Sequence, residues 1–94
     1  MLEKIIEKKI TEYAKKCGIL SYKLNSISCR GLPDRMFLLP KGKIHFIELK
    51  RKGKKPTELQ NLKIQELLDR GFLVEVVDDV DYGLKVVDKW MQTN

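Results

Sequence analysis

The sequence predicts an α/β fold in one domain covering residues 1–94, with elements in the order α-β-β-β-α-β-α. Three observations carry that expectation. Both ends of the chain hold apolar residues at helical spacing. Two apolar runs of strand length meet at a turn in the middle and make an antiparallel hairpin. A third such run follows a capped helix, and that long crossover allows it to lie parallel to its neighbour. Together these give a mixed sheet flanked by helices.

The first helix spans residues 2 to 17. Leu2, Ile5, Ile6, Ile10, Tyr13, Ala14 and Cys17 form one apolar face, and Gly18 closes the helix in the usual position after its last turn. A short extended stretch, Ile19 to Leu24, leads into a polar loop from Asn25 to Pro33. Arg35 to Leu39 and Ile44 to Arg51 read as strands, with Pro40-Lys41-Gly42-Lys43 as the turn between them. The basic loop Arg51 to Pro56 comes next. Thr57 with Gln60 three residues on is a capping-box pattern that starts the second helix. Leu59, Leu62, Ile64, Leu67 and Leu68 supply its apolar side, and Gly71 ends it. Phe72 to Val77 is the last strand. Residues 80 to 91 form a final amphipathic helix with Leu84, Val87 and Trp90 on one side.

Composition narrows the function classes. A hydrophobic fraction of 43% supports a modest core and argues against disorder. The net charge of +6, from 19 Lys and Arg against 13 Asp and Glu, favours a polyanionic partner, because each cation placed on a phosphate releases a condensed counterion. Two cysteines and one histidine make no zinc set, so free thiols and a cytoplasmic location are expected. No apolar run approaches the roughly 20 residues that span a bilayer, so no membrane partner is expected.

The chemistry concentrates around the hairpin. Glu48 and Lys50, two apart on a strand, share a face and lie roughly 7 Å apart along it. The preceding residues on that face, Ile44 and Phe46, are apolar, and a charge there is costly unless it is paired or binds a metal. Asp34 reaches the same end of the hairpin. If the turn pairs Leu39 with Ile44, Asp34 stands opposite Leu49; a slip of one residue puts it opposite Glu48 or Lys50. Two carboxylates converging on one point suit Mg²⁺, with Mn²⁺ as its substitute. A lysine beside them orients or deprotonates a water and balances charge on a phosphate.

Gly31-Leu32-Pro33-Asp34, followed after a hairpin by Glu48-Leu49-Lys50, resembles the PD-(D/E)XK nuclease signature. More narrowly the chain resembles the VRR-NUC family: a Gly-x-Pro-Asp loop, Phe46-Ile47-Glu48-Leu49-Lys50-Arg51, a basic loop, and Gln60 early in the next helix. The likeness runs from about Glu7 to Asp79. It implies a restriction-endonuclease-like core, with Asp34 and Glu48 as metal ligands and the backbone carbonyl of Leu49 as another. It implies Lys50 as the water-positioning lysine, and Gln60 as site support or DNA contact. Helical spacing alone leaves Glu3 and Glu7 open as a further acid; the resemblance points to Glu7. The implied activity is metal-assisted hydrolysis of DNA that leaves 5′-phosphate and 3′-hydroxyl ends. Small stand-alone members resemble Holliday-junction resolvases, which implies branched DNA as substrate and a homodimer, since a four-way junction takes two symmetric nicks.

Each sharp reading has a bland counterpart. Glu48 and Lys50 alone fit a solvent-facing edge strand, and only the addition of Asp34, the Gly-x-Pro loop and Gln60 favours a catalytic centre. Arg51, Lys52, Lys54 and Lys55 follow that centre directly, and Arg30 and Arg35 flank Asp34; phosphate contact and ordinary solvation weigh equally for all six. His45 is out of phase with Glu48 and reads as structural. Tyr13 and Trp90 read as core. Asp78, Asp79 and Asp81 read as turn and capping residues. A non-catalytic nucleic-acid-binding module or nuclease subunit is the competing function, one that has no need of an intact Asp34, Glu48 and Lys50 set.

Overall fold

The first helix decides the layering, because its apolar stripe must be covered. The computed structural model describes residues 2–25 and 29–92, so residues 26–28 of the expected polar loop lie outside it. The elements are α1 (Glu3–Lys16), β1 (Leu20–Lys23), β2 (Arg35–Leu38), β3 (Ile44–Leu49), α2 (Glu58–Asp69), β4 (Leu73–Val77) and α3 (Val80–Gln92), with a 3₁₀ turn at Pro40–Gly42. The strands stand in the order β1-β2-β3-β4. The first three are antiparallel and β4 runs parallel to β3. This is the mixed sheet that the sequence predicts.

Ile6, Ile10 and Ala14 of α1 meet Phe37, Ile47, Leu49 and Val77 of the sheet and Val86, Val87 and Trp90 of α3 in one buried cluster. Trp90 lies 5.2 Å from Phe37 and 4.9 Å from His45, ring centre to ring centre, so His45 belongs to this packed face as expected. The Tyr13 hydroxyl donates to the Asp88 carboxylate and ties α1 to α3. That bond pushes the phenol up to about 12. The Thr57 capping box forms in full, with Gln60 N donating to Thr57 Oγ1 and Thr57 N donating to Gln60 Oε1.

Three expectations need correction. The hairpin turn is a 3₁₀ turn, with Lys41 at a φ of 67°. It pairs Leu38 with Ile44, which among the registers left open is the one-residue slip that sets Asp34 opposite Glu48. The apolar side of α2 is not a core face: none of its residues is buried, and Leu59, Leu62 and Leu68 are exposed. In α3 the sheet-facing set is Gly83, Val86, Val87 and Trp90, while Leu84 is only half-buried. The close packing at Gly83 was not legible. A Cβ there would stand 2.3 Å from Ile10 Cδ1 and 3.1 Å from Val77 Cγ1, so its missing side chain is what lets α3 approach α1.

Gly83→Val should therefore lower unfolding stability by roughly 1–3 kcal/mol through overpacking. Thermal denaturation checks this, and adding Ile10→Ala in the same chain should recover part of the loss.

Candidate active site

The one-residue shift in register brings the acids together. Continuing the pairing of Arg35 with Ile47 by one step sets Asp34 opposite Glu48, so the two carboxylates share a face at the open end of the hairpin. Pro33, fully buried, and Gly31, at a φ of +87°, bring the chain into β2 at this point. A Cβ on Gly31 would lie 2.8 Å from Leu59 Cγ and 3.1 Å from the Leu59 carbonyl oxygen. The loop that carries Asp34 is therefore pressed against α2. Glycine is required here twice over, by the backbone angle and by the close approach.

Asp34 is held by a charge-assisted bond. The Leu49 amide donates to Asp34 Oδ2 at 2.7 Å. Glu48 is only 2% exposed, and Lys50 Nζ lies 3.0 Å from its Oε2. Burial and then the neighbouring Asp34 charge push Glu48 up to about 7, with Lys50 opposing. Asp34 is also raised, first by burial and then by the charges of Glu7 and Glu3; the Leu49 amide and Lys50 pull the other way. Without a cation this centre is a crowded pair of acids that takes up a proton more readily than separate carboxylates do.

The other expected residues are arranged around it. Glu7 reaches toward β2, where Arg35 Nη1 holds its Oε2 at 2.7 Å. Arg35 Nε also donates to Ser21 Oγ at 3.3 Å, so this side chain is engaged inside the fold. Of Glu3 and Glu7, the structure thus fixes Glu7 beside the strands. Gln60 spends its side-chain oxygen on the α2 cap. Leu49 meets the centre through its amide. Arg30, Arg51, Lys54 and Lys55 are at least partly exposed, and Lys52 reaches Asp79 at 3.8 Å. The basic loop is anchored where Gly53 N donates to Asp78 Oδ2 at 3.0 Å. Asp79 accepts from Tyr82 N at 3.0 Å and caps α3. Among the described residues no three His, Cys, Asp or Glu side chains come together as a ready-made metal cage. The donor set is two converging carboxylates, and their shared negative charge suits a divalent cation that keeps several waters.

The Leu49 amide bond, the Arg35–Glu7 pair and the Asp78 anchor were invisible in the sequence because each depends on register or on long-range packing. Gly31 carried a signal, since an isolated glycine before Pro-Asp marks a special backbone position.

The VRR-NUC domain model matches residues 1–80. The chain belongs to the VRR-NUC family. Over 79 residues it is 42% identical to a candidate nuclease, p44, of Acyrthosiphon pisum secondary endosymbiont phage 1, covering 84% of this chain and 85% of that protein. A solved VRR_NUC domain superposes with a TM-score of 0.79 at 32% identity, covering 96% of this chain and 94% of that one. This VRR-NUC chain therefore carries a nuclease domain. Among the described residues no helix is long and apolar enough to cross a membrane.

The raised Glu48 makes a signed prediction for the metal-free protein. The folded state holds this proton more tightly than the unfolded chain, whose ordinary value is 4.5. Its stabilising contribution is present in full below that value and is lost as pH rises through about 7. His45, lowered by burial, works in the opposite direction, so the readout is a difference between variants. Relative to wild type, Glu48→Gln should gain thermal stability at pH 8 and show little gain at pH 4.5 in chelator. Paired melting curves across that range check it.

Proposed function

We propose that this VRR-NUC chain is a metal-dependent, structure-specific DNA endonuclease that cleaves four-way or other branched DNA as a homodimer. The observation that carries the reading is the buried Glu48 placed between Asp34 and Lys50. A binding module gains nothing from two carboxylates whose repulsion costs stability. A hydrolase with a cation does. Phage p44 supports a nuclease, and the net charge of +6 supports a polyanionic substrate.

Asp34 and Glu48 would hold Mg²⁺ or Mn²⁺, with the Leu49 backbone and Glu7 beside them. When bound, the cation neutralises the carboxylate pair and offsets the charge that develops on the phosphate. Lys50 orients the attacking water and steadies the negative phosphate oxygens from the other side. The water attacks phosphorus in line with the leaving oxygen and leaves a 5′-phosphate and a 3′-hydroxyl. The Leu49 amide keeps Asp34 turned toward Glu48, and the packing of Gly31 on α2 keeps the whole loop in place. One chain offers one such centre. Two symmetric nicks in a junction call for a C₂ pair.

The test is cleavage of labelled four-way, splayed-arm, flap and linear duplex DNA by the full chain with Mg²⁺, Mn²⁺ or chelator. Wild type should cut branched DNA in the presence of metal only, and Lys50→Ala should lose at least about a hundredfold in rate, the scale of removing one electrostatic contact to the transition state. Binding without cleavage in every metal would overturn the reading in favour of a non-catalytic module.

A further inference from the structure

Helical periodicity sorts the charges of α1. Glu3 and Glu7 stand one turn apart on the flank whose charge reaches Asp34. One position further round, Lys4 and Lys8 also stand one turn apart, and Lys15 continues their line. All three are exposed, as are Lys9 and Lys16 on the same outer half of the helix. The ion pairs among the described residues join Arg35 to Glu7, Lys50 to Glu48, Lys52 to Asp79 and Lys63 to Glu66; none uses a lysine of α1. Lys4 and Lys8 are like charges one turn apart, which does not stabilise a helix, while Glu12, one turn beyond Lys8, offsets part of their charge.

Two surface clefts lie along this ridge and beside the basic loop. One, of about 480 Å³, runs along Lys4, Ile5, Lys8, Lys9 and Glu12. The other, of about 380 Å³, lies between Leu2 at the start of α1 and Arg51, Lys52 and Lys54. Cations thus continue from the loop leaving Lys50 around the helix start and along its outer side.

We infer that Lys4, Lys8 and Lys15 form a phosphate track that holds a duplex arm of the DNA substrate away from the bond being cut. The inference rests on the nuclease reading for its substrate. At 1.5 Å of rise per residue, Lys4 and Lys15 are separated by roughly 16 Å along α1. Phosphates of one strand rise 3.4 Å each along the duplex axis while winding round it, so a straight ridge of this length meets about two or three of them. A duplex presents such a rigid row of phosphates. The track adds affinity without reading sequence, and it sets the angle at which an arm leaves the acidic centre.

The experiment is binding of a labelled four-way junction by fluorescence anisotropy, in chelator, over a series of KCl concentrations. It compares the full wild-type chain with the Lys4→Ala, Lys8→Ala, Lys15→Ala triple variant and with Lys85→Ala, which lines the groove between α3 and β4 instead. The slope of log K against log salt should fall by about 2 to 3 in the triple variant, since each phosphate left without its lysine lowers it by about 0.9. Lys85→Ala should keep the wild-type slope. Circular dichroism melting identifies any folding loss, and the single variant Lys8→Ala then carries the test with a slope change of about 1. A folded triple variant with the wild-type slope overturns the track, and so does a wild-type chain whose binding ignores salt. A reduced slope in a chain that cuts under no metal leaves the track standing and removes the nuclease reading. Metal-dependent cutting with an unchanged slope does the reverse.

Discussion

The bond from the Leu49 amide to the Asp34 carboxylate is the constraint on which the site depends. It joins the loop before β2 to the end of β3 and turns Asp34 to the side that Glu48 occupies. Both acids are raised by burial before any other cause, so the fold holds them together against their own repulsion. An arrangement of this kind persists only where the rest of the structure over-determines it. The parallel pairing of β3 with β4 fixes one side, with Lys50 N donating to the Val77 carbonyl at 2.9 Å. The packing of Gly31 against α2 fixes the other.

The two faces of the sheet divide the work. His45, Ile47 and Leu49 point into the core formed with α1 and α3, where Trp90 packs on His45 and Phe37. Phe46 turns away from that cluster and meets Phe72 edge-on at 5.6 Å. Glu48 and Lys50 continue this second face to the end of the strand. The change from apolar to charged residues along one face places these two charged groups at the end of a rigid element, which favours a fixed geometry. Helix α2, which lacks a buried side of its own, acts as a brace: its cap is closed by Gln60, and Leu59 and Lys63 press on the Asp34 loop.

Much of this was legible in the residues. Apolar spacing gave α1, Thr57 and Gln60 gave the start of α2, and the phase of His45 against Glu48 gave the two faces of β3. The Gly-x-Pro-Asp and Glu-x-Lys sequences pointed to the acids and the lysine that the fold brings together. What could not be read was register. The 3₁₀ turn at Pro40–Gly42 takes up one residue more than the simple hairpin, and that single step decides whether Asp34 faces Glu48 or Leu49. Partner choice was also hidden. Beside Asp34, phosphate contact and solvation weighed equally for Arg35, and the fold instead turns it onto Glu7 and Ser21. The exposure of the α2 leucines was hidden too, because periodicity reports an apolar side without reporting whether anything covers it.

If Asp34 and Glu48 form one divalent-cation site, the metal-free protein holds a proton there that the cation must displace. Calorimetric titration of Mn²⁺ at pH 7, repeated in two buffers of different ionisation enthalpy, measures this most directly. The expected result is one site per chain with proton release on binding, and loss of both in Asp34→Asn and in Glu48→Gln. Mn²⁺ binding of undiminished strength in both variants would contradict it.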